Sequence, residues 1–136
     1  MSHYNKLKTK LTNKCSLIKA LIKKGYKEHQ IEDHEIATEL YGYQGDKRKE
    51  KANIIIRRKD VGSSSNDIGF VAKADGSYEA IISDYDKSIG YDDKWLNEIN
   101  MNHSIEQAKN AFEVNGWSYV ESMNSNGEYQ LVGETY

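Results

Sequence analysis

At 136 residues, with 38% apolar and 29% charged side chains and a formal net charge of −2, the chain has the size of one domain, 1–136, and enough apolar surface to close a core without staples. Its purely apolar runs do not exceed three residues, as at Ile54 to Ile56. That is far below the ~20 of a membrane-spanning helix or the ~7 to 15 of a signal-peptide core, so neither is expected. A single cysteine, Cys15, cannot close an internal disulfide, and a reducing interior is the expected compartment.

From Tyr4 to Leu11, Asn5, Leu7, Thr9 and Leu11 alternate with Tyr4, Lys6, Lys8 and Lys10, which predicts a half-buried strand with its lysine side in water, at a sheet edge. Asn13 then caps a helix with Leu17, Ile18, Leu21 and Ile22 on one face, Lys23 and Lys24 in the last turn and Gly25 after it. Lys27 to Glu35 reads as a polar, charged stretch and Ile36 to Tyr41 as a strand. Gly42 to Lys51 reads as a basic loop, and Ala52 to Arg58, with its three isoleucines, as an interior strand. Gly62 to Asn66 reads as a flexible linker. Ile68 to Ala74 and Ser77 to Asp84 flank the turn pair Asp75 and Gly76, predicting a hairpin with positive φ at both positions. Asp86 to Asp93 is a polar connection. Trp95, Leu96, Ile99, Ile105, Ala108, Ala111 and Phe112 recur at helical spacing, as one helix or as two broken near Asn102, until Asn115 and Gly116. Trp117 to Met123 and Glu128 to Gly133 form a last hairpin around Asn126 and Gly127. The expected fold is α+β: a mainly antiparallel β-sheet with two helical segments packed on one face.

Several of these segments carry a resemblance. Met1 to Tyr4 followed by Leu7, Lys8 and Thr9, then Gly42, Tyr43 and Gly45, the strand Ala52 to Arg58, Asp67-Ile68-Gly69-Phe70, the Asp75 to Tyr78 turn leading to Asp84, Trp95-Leu96 and the terminal hairpin resemble the hypothetical chloroplast reading frame thirty-five family. The resemblance implies a small soluble protein of plastids, cyanobacteria and other bacteria, in the cytoplasm or plastid stroma. It implies no established activity, an AAA-type ATPase as companion in some bacteria, and no catalytic residue to transfer.

Charge is divided along the chain. Residues 1–59 hold fifteen Lys or Arg against seven acids, and residues 60–136 hold four against fourteen. Lys47, Arg48, Lys49, Arg57 and Arg58, with the lysines of the first strand, are the candidate binding residues for an acidic partner or phosphates. Alternatively the two halves interleave and cancel, and if they stay separate, self-association is open. Nucleic acid is the minority partner because no stacking motif accompanies the lysines.

His29 and His34 lie among acids without the spacing of a metal motif. A calcium loop from Asp84 fails at Ile89 and Trp95, so no metal and no cofactor are expected. Cys15 reads as a small helix residue. His3 is the candidate acid–base residue, with Asp67 or Asp84 as its carboxylate. The leading reading is a non-enzymatic domain that binds a protein partner. The alternatives are a small enzyme or ligand-binding protein built around His3, and weak nucleic-acid binding through the basic half.

Overall fold

The computed structural model describes residues 3–116, 118–123 and 126–134. Met1, Ser2 and Trp117, with Asn124 and Ser125 of the expected terminal turn, lie outside the described residues. In chain order the elements are β1 (Tyr4–Lys8), α1 (Lys14–Lys24), β2 (Ile31–Tyr41), β3 (Lys47–Ile56), β4 (Ile68–Ala72), β5 (Tyr78–Ser83), α2 (Asp84–Ser88), α3 (Asp93–Val114), β6 (Ser118–Met123) and β7 (Tyr129–Glu134). Five strands make one antiparallel sheet in the order β1-β5-β4-β3-β2, and β6 pairs with β7 in a separate hairpin. No described helix is long and apolar enough to cross a membrane. The architecture is α+β, as the patterning predicts.

Local chemistry explains the helix ends. The Asn13 side chain accepts a hydrogen bond from the Ser16 N–H at the start of α1. At its end Gly25, at φ +129°, lets its own N–H reach the Ile22 carbonyl and the Tyr26 N–H reach Leu21. The side chains α1 buries are Ser16, Leu17, Ala20 and Leu21, while Ile22 is left largely exposed. Asp92 caps α3, which runs without a break through Asn102. In the β4–β5 turn Gly76 alone has positive φ, because the Asp75 carboxylate accepts from the Ser77 N–H and hydroxyl and holds a different turn.

Alternation sends Leu7, Ala80, Ile82, Phe70, Ile68, Ile54 and Ile56 to the sheet face that α1 and α3 cover with Leu17, Leu21, Trp95, Leu96 and Ile99. The two helices are joined end to side by His103. This buried side chain on α3 accepts through Nε2 from the backbone N–H groups of Thr12 and Asn13 at the start of α1, at 3.3 and 3.2 Å. Burial holds its imidazole below the ordinary value of 6.5, so the neutral ring is the one the fold accommodates.

The second face is where sequence and structure part. Tyr4, on the lysine side of β1, is 4% exposed instead of facing water, because the β2–β3 hairpin turns back over this face. β2 starts at Ile31, within the stretch expected to be a polar connection, and β3 starts at Lys47, within the expected loop. The pairing jumps from Asp33↔Ile54 to Thr38↔Ala52, setting four residues of β2 opposite Asn53 alone. The Asn53 amide secures that bulge by donating to the His34 and Glu35 carbonyls while its oxygen accepts from Ala72 N–H. A bulge of this size bends a strand pair sharply. The far half of the hairpin therefore lays Leu40 and Ala52 on Gly69, Ile55, Ile81 and Tyr4. Gly69 is needed there, since a Cβ would lie 2.5 Å from the Ala52 methyl.

Two outcomes follow from this packing. Gly69→Ala should cost about 2 kcal/mol through overpacking, measured by urea denaturation, with Ala52→Gly in the same chain recovering part of the loss. For His103, whose folded value is depressed, stability should be full above 6.5 and decline as pH falls below it, since the unfolded chain then takes up a proton that the folded chain resists. Denaturation midpoints at several pH values should show that component missing in His103→Asn.

Candidate functional site

Asp67 stands at the junction between sheet and folded-back hairpin, 1% exposed. One carboxylate oxygen accepts from the Tyr41 N–H at 2.7 Å and from Arg57 Nη1 at 2.8 Å, and the other accepts from the Arg58 N–H at 2.6 Å. Its carbonyl accepts from the Tyr4 hydroxyl at 2.7 Å. Arg57 continues outward through a two-pronged contact with Glu32, Nε to Oε2 at 2.8 Å and Nη2 to Oε1 at 2.9 Å. It also donates to the Glu39 carbonyl and lies over the Tyr41 ring. The Arg57 guanidinium, with smaller help from His34, holds Glu32 below the usual carboxylate range. Burial, reinforced by Asp67, pushes the Tyr4 phenol far above its ordinary value, so it donates and does not ionise.

Beside this lies a second polar knot. The fully buried Asp86 accepts on Oδ2 from the Ser83 hydroxyl at 2.7 Å, the Asn66 N–H at 3.0 Å and the Asn66 amide at 3.3 Å. Asn66 in turn accepts from the Tyr43 N–H. The segment expected to be a flexible linker therefore ends in the 0% exposed Ser65 and Asn66. Outside the knot, Tyr41, Arg57, Arg58 and Lys59 line a cleft of about 540 Å³ with Gly45 and Gly62.

The candidate residues divide into three places. Arg57, Arg58 and Asp67 converge on the cleft just described. Lys47, Arg48 and Lys49 sit on the folded-back part of β3, Lys47 and Lys49 exposed and Arg48 turned inward over the Tyr4 ring at 4.8 Å. That crossing brings Lys49 beside β1, where it lines one depression with His3, Asn5, Lys6 and Glu50. His3 is itself exposed, and so is Asp84. They are joined by the Asp84 N–H donating to the His3 carbonyl at 2.8 Å, while the Asp84 carboxylate accepts from Asn5. Asp67 is turned instead to Tyr41, Arg57 and Arg58.

A third feature is an arm. The first half of α3 is buried through Trp95, Leu96, Ile99, Asn102, His103 and Ile105, whereas its last turns carry the β6–β7 hairpin. Phe112 packs against the Tyr119 ring in a tilted pair at 6.0 Å and fills the space beside Gly133, and Lys109 pairs with Glu121 and Glu106. Between helix and hairpin runs an apolar groove of about 810 Å³ lined by Met101, Ile105, Ala108, Met123 and Leu131. Met101, Val114, Val120, Met123 and Val132 are each about half exposed or more.

Sequence reasoning missed Tyr4, Asn66, Asp86 and His103. Ser83 and Asp86 carry the one legible signal, a helix-capping pair at i and i+3.

If Asp67 is the junction, Asp67→Ala should destabilise the chain by about 3 kcal/mol, because two N–H groups and Arg57 lose a buried acceptor together. Glu32→Ala, at a pair 23% and 35% exposed, should cost no more than about 1 kcal/mol. Thermal denaturation of both variants checks the ranking. No protein-family model, curated protein or solved structure matches the chain.

Proposed function

We propose that this chain is a non-enzymatic docking domain whose arm, α3 with β6–β7, binds a protein segment that is both apolar and basic. The observation that carries the reading is the concentration of exposed apolar side chains on this one projection. A two-stranded hairpin has little stability of its own, and here it presents Val120 beside Val132 on the side away from α3. Exposed apolar surface gathered in one place marks an interaction site more often than scattered residues do. The methionines at the groove can repack around a partner's side chains. Electrostatics selects the partner: from Glu106 to Glu134 the sequence has five glutamates and one lysine, Lys109. A segment bearing lysine or arginine between apolar residues answers both features. The separated charges of the sequence support the same reading, with Lys47 and Lys49 on the opposite side of the sheet from the helices.

The test uses the full chain purified from its native host, then reconstitution with any stoichiometric partner found, an AAA-type ATPase being one candidate that the family resemblance implies. Val120→Thr with Val132→Thr and Met123→Gln keeps strand shape and removes apolar surface. It should weaken binding at least about tenfold, the worth of a few buried methyl groups, and Lys47→Glu with Lys49→Glu should leave binding to that partner intact. Equal binding by the arm variant, or a nucleic acid recovered in place of protein and lost with the lysines, would overturn the reading.

A further inference from the structure

We infer that one partner of the arm is a second copy of this chain, which it meets at the basic strand edge formed by β1 and the folded-back β3; this rests on the arm being a docking site. β1 is a terminal strand of the five-stranded sheet, so one side of its backbone ladder is open. Such an edge invites another strand unless something covers it. Along it Lys6 and Lys8 are exposed, and the return of the β2–β3 hairpin sets Lys49 beside Lys6 around a shared depression. Lys6, Lys8 and Lys49 make no ion pair among the described residues. The surface is therefore an open strand edge with an excess of positive charge, Glu50 being the acid that shares its depression.

The arm is its complement in both respects. β6 and β7 have no other strand beside them among the described residues, so each has an open edge. The exposed charged side chains of the arm include Glu113 on α3, Glu121, which pairs with Lys109, and Glu128 just before β7. One molecule cannot satisfy both surfaces itself, because the arm grows from the helix layer while β1 and the returned hairpin present their lysines on the opposite sheet face. Edge-to-edge pairing between copies adds main-chain hydrogen bonds, with the alternating side chains setting charge against charge. Because the two surfaces differ, the contact is heterologous, and repetition of it gives a ring or an open chain instead of an isologous dimer.

The test takes two variants of the full chain. Lys6→Glu with Lys49→Glu reverses the basic edge, and Glu113→Lys with Glu128→Lys reverses the arm. All four positions are at the surface, and circular dichroism confirms folding. Sedimentation of the wild type at low salt should show concentration-dependent assembly that is lost toward about 0.5 M salt, where charges are screened within a few ångström. Each variant alone should remain monomeric. An equimolar mixture should regain assembly, since the native arm of the first variant meets the native edge of the second and the reversed edge of the first meets the reversed arm of the second. A wild type that stays monomeric at low salt, a mixture that stays monomeric, or an assembly untouched by either reversal overturns the inference. The proposed docking function would then still stand or fall on its own partner, because the apolar arm variant tests it separately.

Discussion

Everything on the second face of the sheet depends on where the Asp67 carboxylate and carbonyl find their donors. Four hydrogen bonds from Tyr4, Tyr41, Arg57 and Arg58 reach this one residue, and they come from three parts of the chain's path: the first strand, the end of β2 and the adjacent arginines just after β3. A buried carboxylate without such partners would be costly. With them it becomes a point that only one arrangement of those segments satisfies. Leu40 and Ala52 supply the apolar contact, but apolar contact alone does not fix register, and the polar junction does.

The consequence for function is indirect. Because the hairpin is held across the face, Lys49 is carried from the far side of the sheet to the neighbourhood of Lys6, and Arg48 is spent on Tyr4 instead of facing water. A charge pattern that is only a local excess in the sequence thus becomes one basic edge. The helix layer on the other face ends in the acidic, apolar arm. The chain is polar in the sense of having two unlike ends, and that is the property on which both the proposed docking function and the proposed self-assembly draw.

The strands and helices were legible where periodicity and end signals agreed: α1 between Asn13 and Gly25, the isoleucine strand, the β4–β5 hairpin and the terminal hairpin. The second face was not. β2 carries Glu32, Asp33, His34 and Glu35 because it is an edge strand with part of its length in solvent, so its composition imitates a loop. Lys47 to Lys51 reads as basic loop for the same reason, although Arg48 and Glu50 alternate with the lysines at strand period. A four-residue bulge leaves no pattern that a window can detect, and with it the burial of Tyr4 was invisible. Of the candidate residues, Arg57, Arg58 and Asp67 meet because they stand at the two ends of the β3–β4 connection, next to the paired residues Ile56 and Ile68. His3 and Asp84 meet through backbone because β1 and β5 are neighbours. His103 gave no signal, since a histidine on an amphipathic helix looks the same whether it faces solvent or caps another helix.

Amide hydrogen exchange of the native chain tests the locking of the hairpin most directly. The N–H groups of Tyr41 and Arg58, which donate to Asp67, should exchange only with global unfolding, as slowly as those of Phe70 and Ile81 in the central strands. Exchange of Tyr41 and Arg58 orders of magnitude faster than the central strands would show that the hairpin opens by itself. Asp67 would then not be the junction on which the second face depends.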